Sequence, residues 1–130
     1  MTAGFKHKIL IVDDEAEARS GLAHMLRMKG YEVLEAGTGA EGLARAKSDW
    51  PSLIILDIVL PDIPGNKVLE TLRADPITKA IRVLLLTAKP DIVDQMPQIE
   101  DGSANYFAKP GRAEDLLTTI QNILTAKKPQ

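Results

Sequence analysis

Short apolar runs alternate with amphipathic stretches along the chain. Lys8 to Val12 (KILIV) is an apolar run that ends at two aspartates. A helical pattern follows, with Ala18, Leu22, Met25 and Leu26 on one face, and Gly30 is placed to stop it as a C-cap. Tyr31 to Leu34 reads as a second strand, and Gly39 to Ser48 as a helix through Leu43 and Ala44. Leu53 to Asp57 (LIILD) is a continuous apolar run, the pattern of a strand buried on both faces. Gly65 to Ala74 predicts a third helix with Val68, Leu69 and Leu72 inward, and Ile81 to Leu86 (IRVLLL) another buried strand. Ala104 to Ala108 is a short fifth strand. Ala113 to Ala126 closes the pattern as an amphipathic helix, with Leu116, Leu117, Ile120, Ile123 and Leu124 at helical spacing.

Strands alternating with helices predict an α/β fold with right-handed crossovers and a parallel sheet covered on both faces. In such sheets the working residues sit at the carboxyl ends of the strands. The first strand is followed by Asp13 and Asp14, and the third ends in Asp57. The fourth is followed by Thr87, and the fifth by Lys109 and Pro110. The second is followed only by Ala36, Gly37 and Thr38. Three carboxylates, a hydroxyl and an amine are therefore expected around one crevice.

Composition narrows the choice of chemistry. The 130 residues suffice for one domain, and 45% hydrophobic with 26% charged residues is the balance of a globular chain. No cysteine is present, which excludes a disulfide framework, a zinc ribbon and a cysteine nucleophile and fits a cytoplasmic setting. Sixteen basic against 18 acidic residues give a net charge of -2, which argues against direct nucleic-acid binding through bulk charge. The longest apolar runs are too short to span a bilayer, and no signal-length apolar stretch follows Met1 to Lys8.

Three aspartates in one pocket repel: two unit charges about 4 Å apart cost on the order of 4 kcal/mol at an effective dielectric near 20. Either one carboxyl keeps its proton or a cation sits among them. With no histidine or cysteine near the cluster, a hard, oxygen-seeking ion such as Mg²⁺ is favoured. Lys109 offers a point charge for a phosphoryl oxygen, and Thr87 a hydroxyl. A carboxylate can attack phosphorus to form an acyl phosphate, a reaction governed by positioning and charge neutralisation.

ILIVDDE at Ile9 to Glu15, LIILDIVLPDIPG at Leu53 to Gly65, LLLTA at Leu84 to Ala88 and GSANYFAKP at Gly102 to Pro110 together resemble the receiver domain of two-component response regulators. Each motif alone is weak, but in this order and at successive strand ends they are highly specific. The likeness runs from about Lys8 to Ala126, leaving 127–130 as a tail or the start of a linker. It implies a flavodoxin-like (βα)5 three-layer sandwich with strand order 2-1-3-4-5. It implies Asp57 as phosphoacceptor, and Mg²⁺ held by Asp14, Asp57 and the Val59 carbonyl, with Asp13 acting through water. Lys109 would hold a phosphoryl oxygen, and Thr87 would move toward the attached group with Tyr106 turning inward behind it. Pro110 would follow a cis peptide bond, and Val59 and Lys89 would tune the lifetime of the phosphate. A histidine kinase or phosphotransfer protein would be the donor.

Several features depart from that pattern or compete with it. Pro64 stands where the family often has an acidic residue or Asn, and only local stiffening is expected. Pro97 falls within Asp91 to Glu100, the family's fourth helix, where an interior proline costs about 3 kcal/mol. A short, kinked or loosely formed fourth helix and a second short helical turn starting at Pro97 both fit it. Pro90, near that helix's start, is tolerated. Gly37 to Gly42 spells GxGxxG between a strand and a helix, but at the sheet edge it reads as a tight turn rather than a dinucleotide site. His7 and His24 read as surface residues, Trp50 as a loop cap, Met25 and Met28 as core or near-core, and Lys127 with Lys128 as a solvated end.

The expected function is a phosphorylation-dependent switch that catalyses transfer onto itself and its later hydrolysis, and is not otherwise an enzyme. Its output would be the face of the fourth helix, fifth strand and final helix, acting on a downstream protein or an output domain outside these residues. That face could also form a homodimer. A phosphate-independent interaction module is the alternative. A phosphatase with an aspartate nucleophile fits poorly, because Val59 stands where its second aspartate belongs.

Overall fold

A computed structural model describes residues 7–88, 104–109 and 111–125. These form nine elements: β1 (Lys8–Val12), α1 (Ala16–Met28), β2 (Glu32–Ala36), α2 (Gly39–Asp49), β3 (Leu53–Asp57), α3 (Gly65–Ala74), β4 (Arg82–Thr87), β5 (Asn105–Ala108) and α4 (Ala113–Thr125). The strands make one parallel sheet in the order β2-β1-β3-β4-β5, as the family resemblance implies. The expected fourth helix with Pro90 and Pro97, the Lys89 and Pro110 positions, and the tail 127–130 lie outside the described residues.

The core divides into two layers, one on each side of the sheet. On one side Leu10, Val12, Ile54, Leu56, Val83 and Leu85 meet Ala46 of α2 and Val68, Leu69 and Leu72 of α3. On the other Ile9, Ile11, Leu53, Ile55, Leu84 and Leu86 meet Ala23 and Leu26 of α1 and Ile120 and Leu124 of α4. Successive strand residues feed opposite layers, so all five residues of β3 are buried. Removing each such Leu or Ile from water contributes roughly 1.5–3 kcal/mol.

Helix ends follow their capping residues. Gly30 has φ 95°, and its N–H donates to Arg27 O while that of Tyr31 donates to Leu26 O. That is a Schellman termination, and it needs a residue at ease with positive φ. Thr38 caps α2, its hydroxyl accepting the Glu41 N–H at 3.1 Å. Glu41 reaches back to the Gly37 N–H at 2.8 Å, a capping box displaced by one residue. Trp50 ends α2 in the left-handed region at φ 48° with its ring exposed, a helix cap in keeping with the loop-cap reading.

Details of the inward faces differ from the sequence pattern. Ala18 is exposed, because the inner slot in the first turn of α1 goes to Arg19. Arg19 is fixed there by bonds to Asp13 O and Glu35. Ala44 is also exposed, since α2 lays Gly42 and Ala46 against the sheet. An added Cβ at Gly42 would lie 2.7 Å from Val12 Cγ2, so that close approach requires glycine. Met28, the last residue of α1, is 74% exposed and not near-core, while Met25 is half-buried. β2 begins one residue later than Tyr31 and runs on to Ala36, carrying Glu35 to Arg19.

Candidate functional site

Parallel register explains why the chemistry converges. Val12 pairs with Leu56, so Asp13 and Asp57 each stand one residue beyond neighbouring strand positions. Asp57 pairs with Leu86 and Thr87 with Ala108, so Thr87 and then Lys109 follow one step further along the next strands. With strands about 4.8 Å apart, this staircase gathers side chains separated by up to a hundred residues of sequence.

One carboxylate oxygen from each of Asp13, Asp14 and Asp57 lies within 4.8 Å of the other two. Asp13 and Asp57 are buried and Asp14 is exposed, so the cluster opens to solvent on one side. Lys109 Nζ lies 3.1 Å from Asp57 Oδ2 and 3.9 Å from Asp13 Oδ2. The other Asp57 oxygen accepts the Val59 N–H at 3.0 Å. Asp13 Oδ1 accepts the Glu15 N–H at 2.9 Å, and its carbonyl accepts Arg19 Nη1 at 2.6 Å. Arg19 in turn donates from Nε to Glu35 at 3.0 Å, tying the acidic loop to α1 and β2. Burial holds the Asp13 carboxyl above its ordinary range; the Glu15 N–H and Lys109 pull it back, while Asp57 and Glu15 push the same way as burial.

The loop after β3 is also held. The Ile58 N–H continues the ladder to Leu86 O at 3.2 Å, and the Gly65 N–H closes the loop onto Ile58 O at 2.7 Å. A Cβ at Gly65 would stand 2.5 Å from Ile58 Cα, so the start of α3 can approach the end of β3 only without a side chain. Asp62, within this loop, accepts the Gly39 and Ala40 N–H groups at 2.8 and 2.9 Å. Those two bonds, Ala40 foremost, hold its carboxyl below the usual range.

Thr87 and Tyr106 occupy different ground. Thr87 is buried and its carbonyl accepts the Lys109 N–H at 2.6 Å. Along β4 it shares the pleat side of Val83 and Leu85, in the layer of α2 and α3, whereas Asp57 shares that of Leu53 and Ile55. Tyr106 pairs with Leu85 and so stands on the Thr87 side, 37% exposed. The Val59 side chain is 74% exposed, which leaves its backbone as the part facing the site. Sequence reading picked out the five strand-end residues. It missed Arg19, which bonds the Asp13 carbonyl and the Glu35 carboxylate, and Asp62, both of whose partners are backbone N–H groups that leave no mark in residue spacing.

The donor set suits a hard divalent cation. Three carboxylates are answered by one ammonium group, and neither histidine nor cysteine belongs to the cluster. Oxygen-only ligands with one side open to water match Mg²⁺. The GxGxxG stretch shows no match to a dinucleotide site: the Gly39 and Ala40 N–H groups that would face a pyrophosphate are bonded to Asp62. No described helix is long and apolar enough to cross a membrane.

Comparison with known proteins gives the same picture. The model of the response regulator receiver domain family matches residues 9–121. Protein PilH of Pseudomonas aeruginosa is 36% identical over 117 residues, covering 90% of this chain and 97% of PilH. The DNA-binding dual master transcriptional regulator RpaA of Synechocystis is 37% identical over 125 residues, covering 95% of this chain and 52% of RpaA. The chain thus spans about half the length of several curated relatives it matches, RpaA among them. The high-resolution structure of the chemotaxis response regulator CheY4 of Vibrio cholerae superposes with a TM-score of 0.82 at 30% identity, covering 91% of this chain and 98% of that one.

Proposed function

The chain belongs to the response regulator receiver family, and we propose that it works as a phosphorylation-dependent switch with Asp57 as the phosphoacceptor. The observation that carries this reading is the Asp57 carboxylate, buried yet bordered by Asp13, Asp14 and the Lys109 ammonium group at 3.1 Å. Lys109 and the Val59 N–H each hold one Asp57 oxygen, which orients the carboxylate.

In the proposed reaction an Asp57 oxygen forms a bond to phosphorus as the bond from phosphorus to the donor histidine nitrogen breaks. The nitrogen keeps the electron pair of that bond, and the product is an acyl phosphate. Lys109 balances charge on a phosphoryl oxygen, first of the donor and then of the product. Asp14, Asp57 and the Val59 carbonyl would hold Mg²⁺, with Asp13 reaching it through water. Bound there, the cation supplies positive charge that neutralises phosphoryl oxygens. Later attack by water on phosphorus returns the Asp57 carboxylate and releases phosphate, so the domain resets itself without acting on an external substrate.

The added group carries charge and acceptor oxygens that Thr87 and Lys109 can meet. Thr87 turning toward it, and Tyr106 filling the space behind, would reshape the β5 and α4 face and its neighbouring segment. A histidine kinase or phosphotransfer protein is the proposed donor. A downstream protein, or an output domain outside these 130 residues, is the proposed reader, and pairing of two copies through the same face fits this scheme. The unit of function is one receiver domain spanning about residues 8–126, working in the cytoplasm without contacting nucleic acid or membrane itself.

Incubation of the chain with Mg²⁺ and acetyl phosphate, followed by intact mass, tests this reading. One added phosphoryl group, absent from Asp57→Asn, is expected. No gain by the wild-type chain would favour a phosphate-independent module, and multiple turnovers on external phosphoesters would indicate a phosphatase.

A further inference from the structure

The glycine-rich turn between β2 and α2 has an occupant within the chain itself. Both oxygens of Asp62 are used there, one on the Gly39 N–H and one on the Ala40 N–H, at 2.8 and 2.9 Å. The neighbouring donors are taken locally: the Gly37 N–H, before the cap, by Glu41, the Glu41 N–H by the Thr38 hydroxyl, and the Gly42 N–H by the Thr38 carbonyl. A Cβ at Gly39 would meet Val68 Cγ2 at 3.0 Å and Ile63 Cβ at 3.1 Å, so the turn and the loop after β3 are in close contact.

That loop is the one next to Asp57. It is tied at its entry by the Val59 N–H on Asp57 Oδ1, at its exit by the Gly65 N–H on Ile58 O, and at its tip by Asp62. The Val59 side chain is too exposed to anchor its own backbone. Hydrogen bonds therefore set where the Val59 peptide sits.

We propose that Asp62 is a positioning residue for phosphoryl transfer: by clasping the N-terminus of α2 it fixes the Val59 backbone against Asp57. This deepens the switch reading given above and rests on it. The glycine-rich turn then serves as a receptor for an internal carboxylate, coupling the start of α2 to the acceptor loop. A clasp of this kind acts as outer-shell partners do at metal sites, where losing one typically costs tenfold or more in affinity.

The full chain tests this with Asp62→Ala and Asp62→Asn, the latter keeping one acceptor oxygen. The metal-free protein is followed by amide NMR, with hydrogen exchange at Val59 compared with Ile9 to Ile11 of β1. Exchange at Val59 is expected to quicken by about tenfold in Asp62→Ala with β1 unchanged. The Mg²⁺ concentration giving half-maximal uptake from acetyl phosphate is expected to rise by about tenfold, and less in Asp62→Asn. Wild-type values for both quantities in Asp62→Ala would overturn the proposal. Should that variant fail to fold, wild-type values for both in Asp62→Asn would do the same. A wild-type chain that takes up no phosphoryl group sinks the switch reading, while the metal-free exchange at Val59 still decides whether the clasp positions that peptide.

Discussion

Lys109 Nζ stands 3.1 Å from Asp57 Oδ2 and 3.9 Å from Asp13 Oδ2, so one ammonium group serves two buried carboxylates. Without it those two negative charges face each other across a partly desolvated pocket. Lys109→Ala is expected to destabilise the metal-free protein by about 1–3 kcal/mol, as loss of a charged hydrogen bond does. Mg²⁺ should recover part of that loss. Uptake of phosphoryl groups at Asp57 should fall by about tenfold or more, since the proposed mechanism relies on that charge to meet the phosphoryl oxygen. Thermal melts with and without Mg²⁺ and timed intact-mass spectra check both effects.

Burial disfavours the charged form of the Asp13 carboxyl, and the Glu15 N–H and Lys109 offset this only in part. Burial makes its charged form more costly in the folded chain than in the unfolded one, where its value is near 3.8. Asp13→Asn should therefore raise the metal-free melting temperature at pH 7 by about 3 °C. The gain should fade as pH drops through the raised native value toward 3.8, because wild-type Asp13 then takes up its own proton. Adding Mg²⁺ should shrink or reverse it. Paired melts across pH, repeated with Mg²⁺, supply the measurement.

For Asp62 the sign is opposite. Its carboxyl is held low by the Ala40 and Gly39 N–H groups, so its charged form is favoured in the folded state. The melting-temperature advantage of wild type over Asp62→Ala should be full above the ordinary value of 3.8 and vanish as pH falls through the depressed native value. A difference that stays constant between pH 7 and pH 2 contradicts this.

Gly65→Ala places a Cβ 2.5 Å from Ile58 Cα and 2.7 Å from Asp57 O, both backbone atoms that no rotamer change can move. The expected cost is about 1–3 kcal/mol or more, read from denaturant midpoints. Phosphoryl uptake should drop further than stability alone accounts for, because the displaced atoms include the Asp57 carbonyl oxygen, next to the proposed acceptor carboxylate.

Much of this was legible from residue order. The run Leu53 to Asp57 gave away a strand buried on both sides, and all five residues are buried. Asp13, Asp57 and Lys109 were legible as partners because each follows a strand, and parallel register brings strand ends level. Faces of short helices were less legible. Ala18 and Ala44 fit an apolar stripe, yet Arg19 and Gly42 took the inward positions for reasons of hydrogen bonding and close approach. The Asp62 clasp left no trace in the sequence, because both of its partners are backbone N–H groups and backbone carries no residue code.

Intact mass after exposure to Mg²⁺ and acetyl phosphate, run in parallel on wild type and Asp57→Asn, bears most directly on the central claim. Wild type should gain the mass of one phosphoryl group and Asp57→Asn none. Equal gain by both proteins, or none by either, would contradict it.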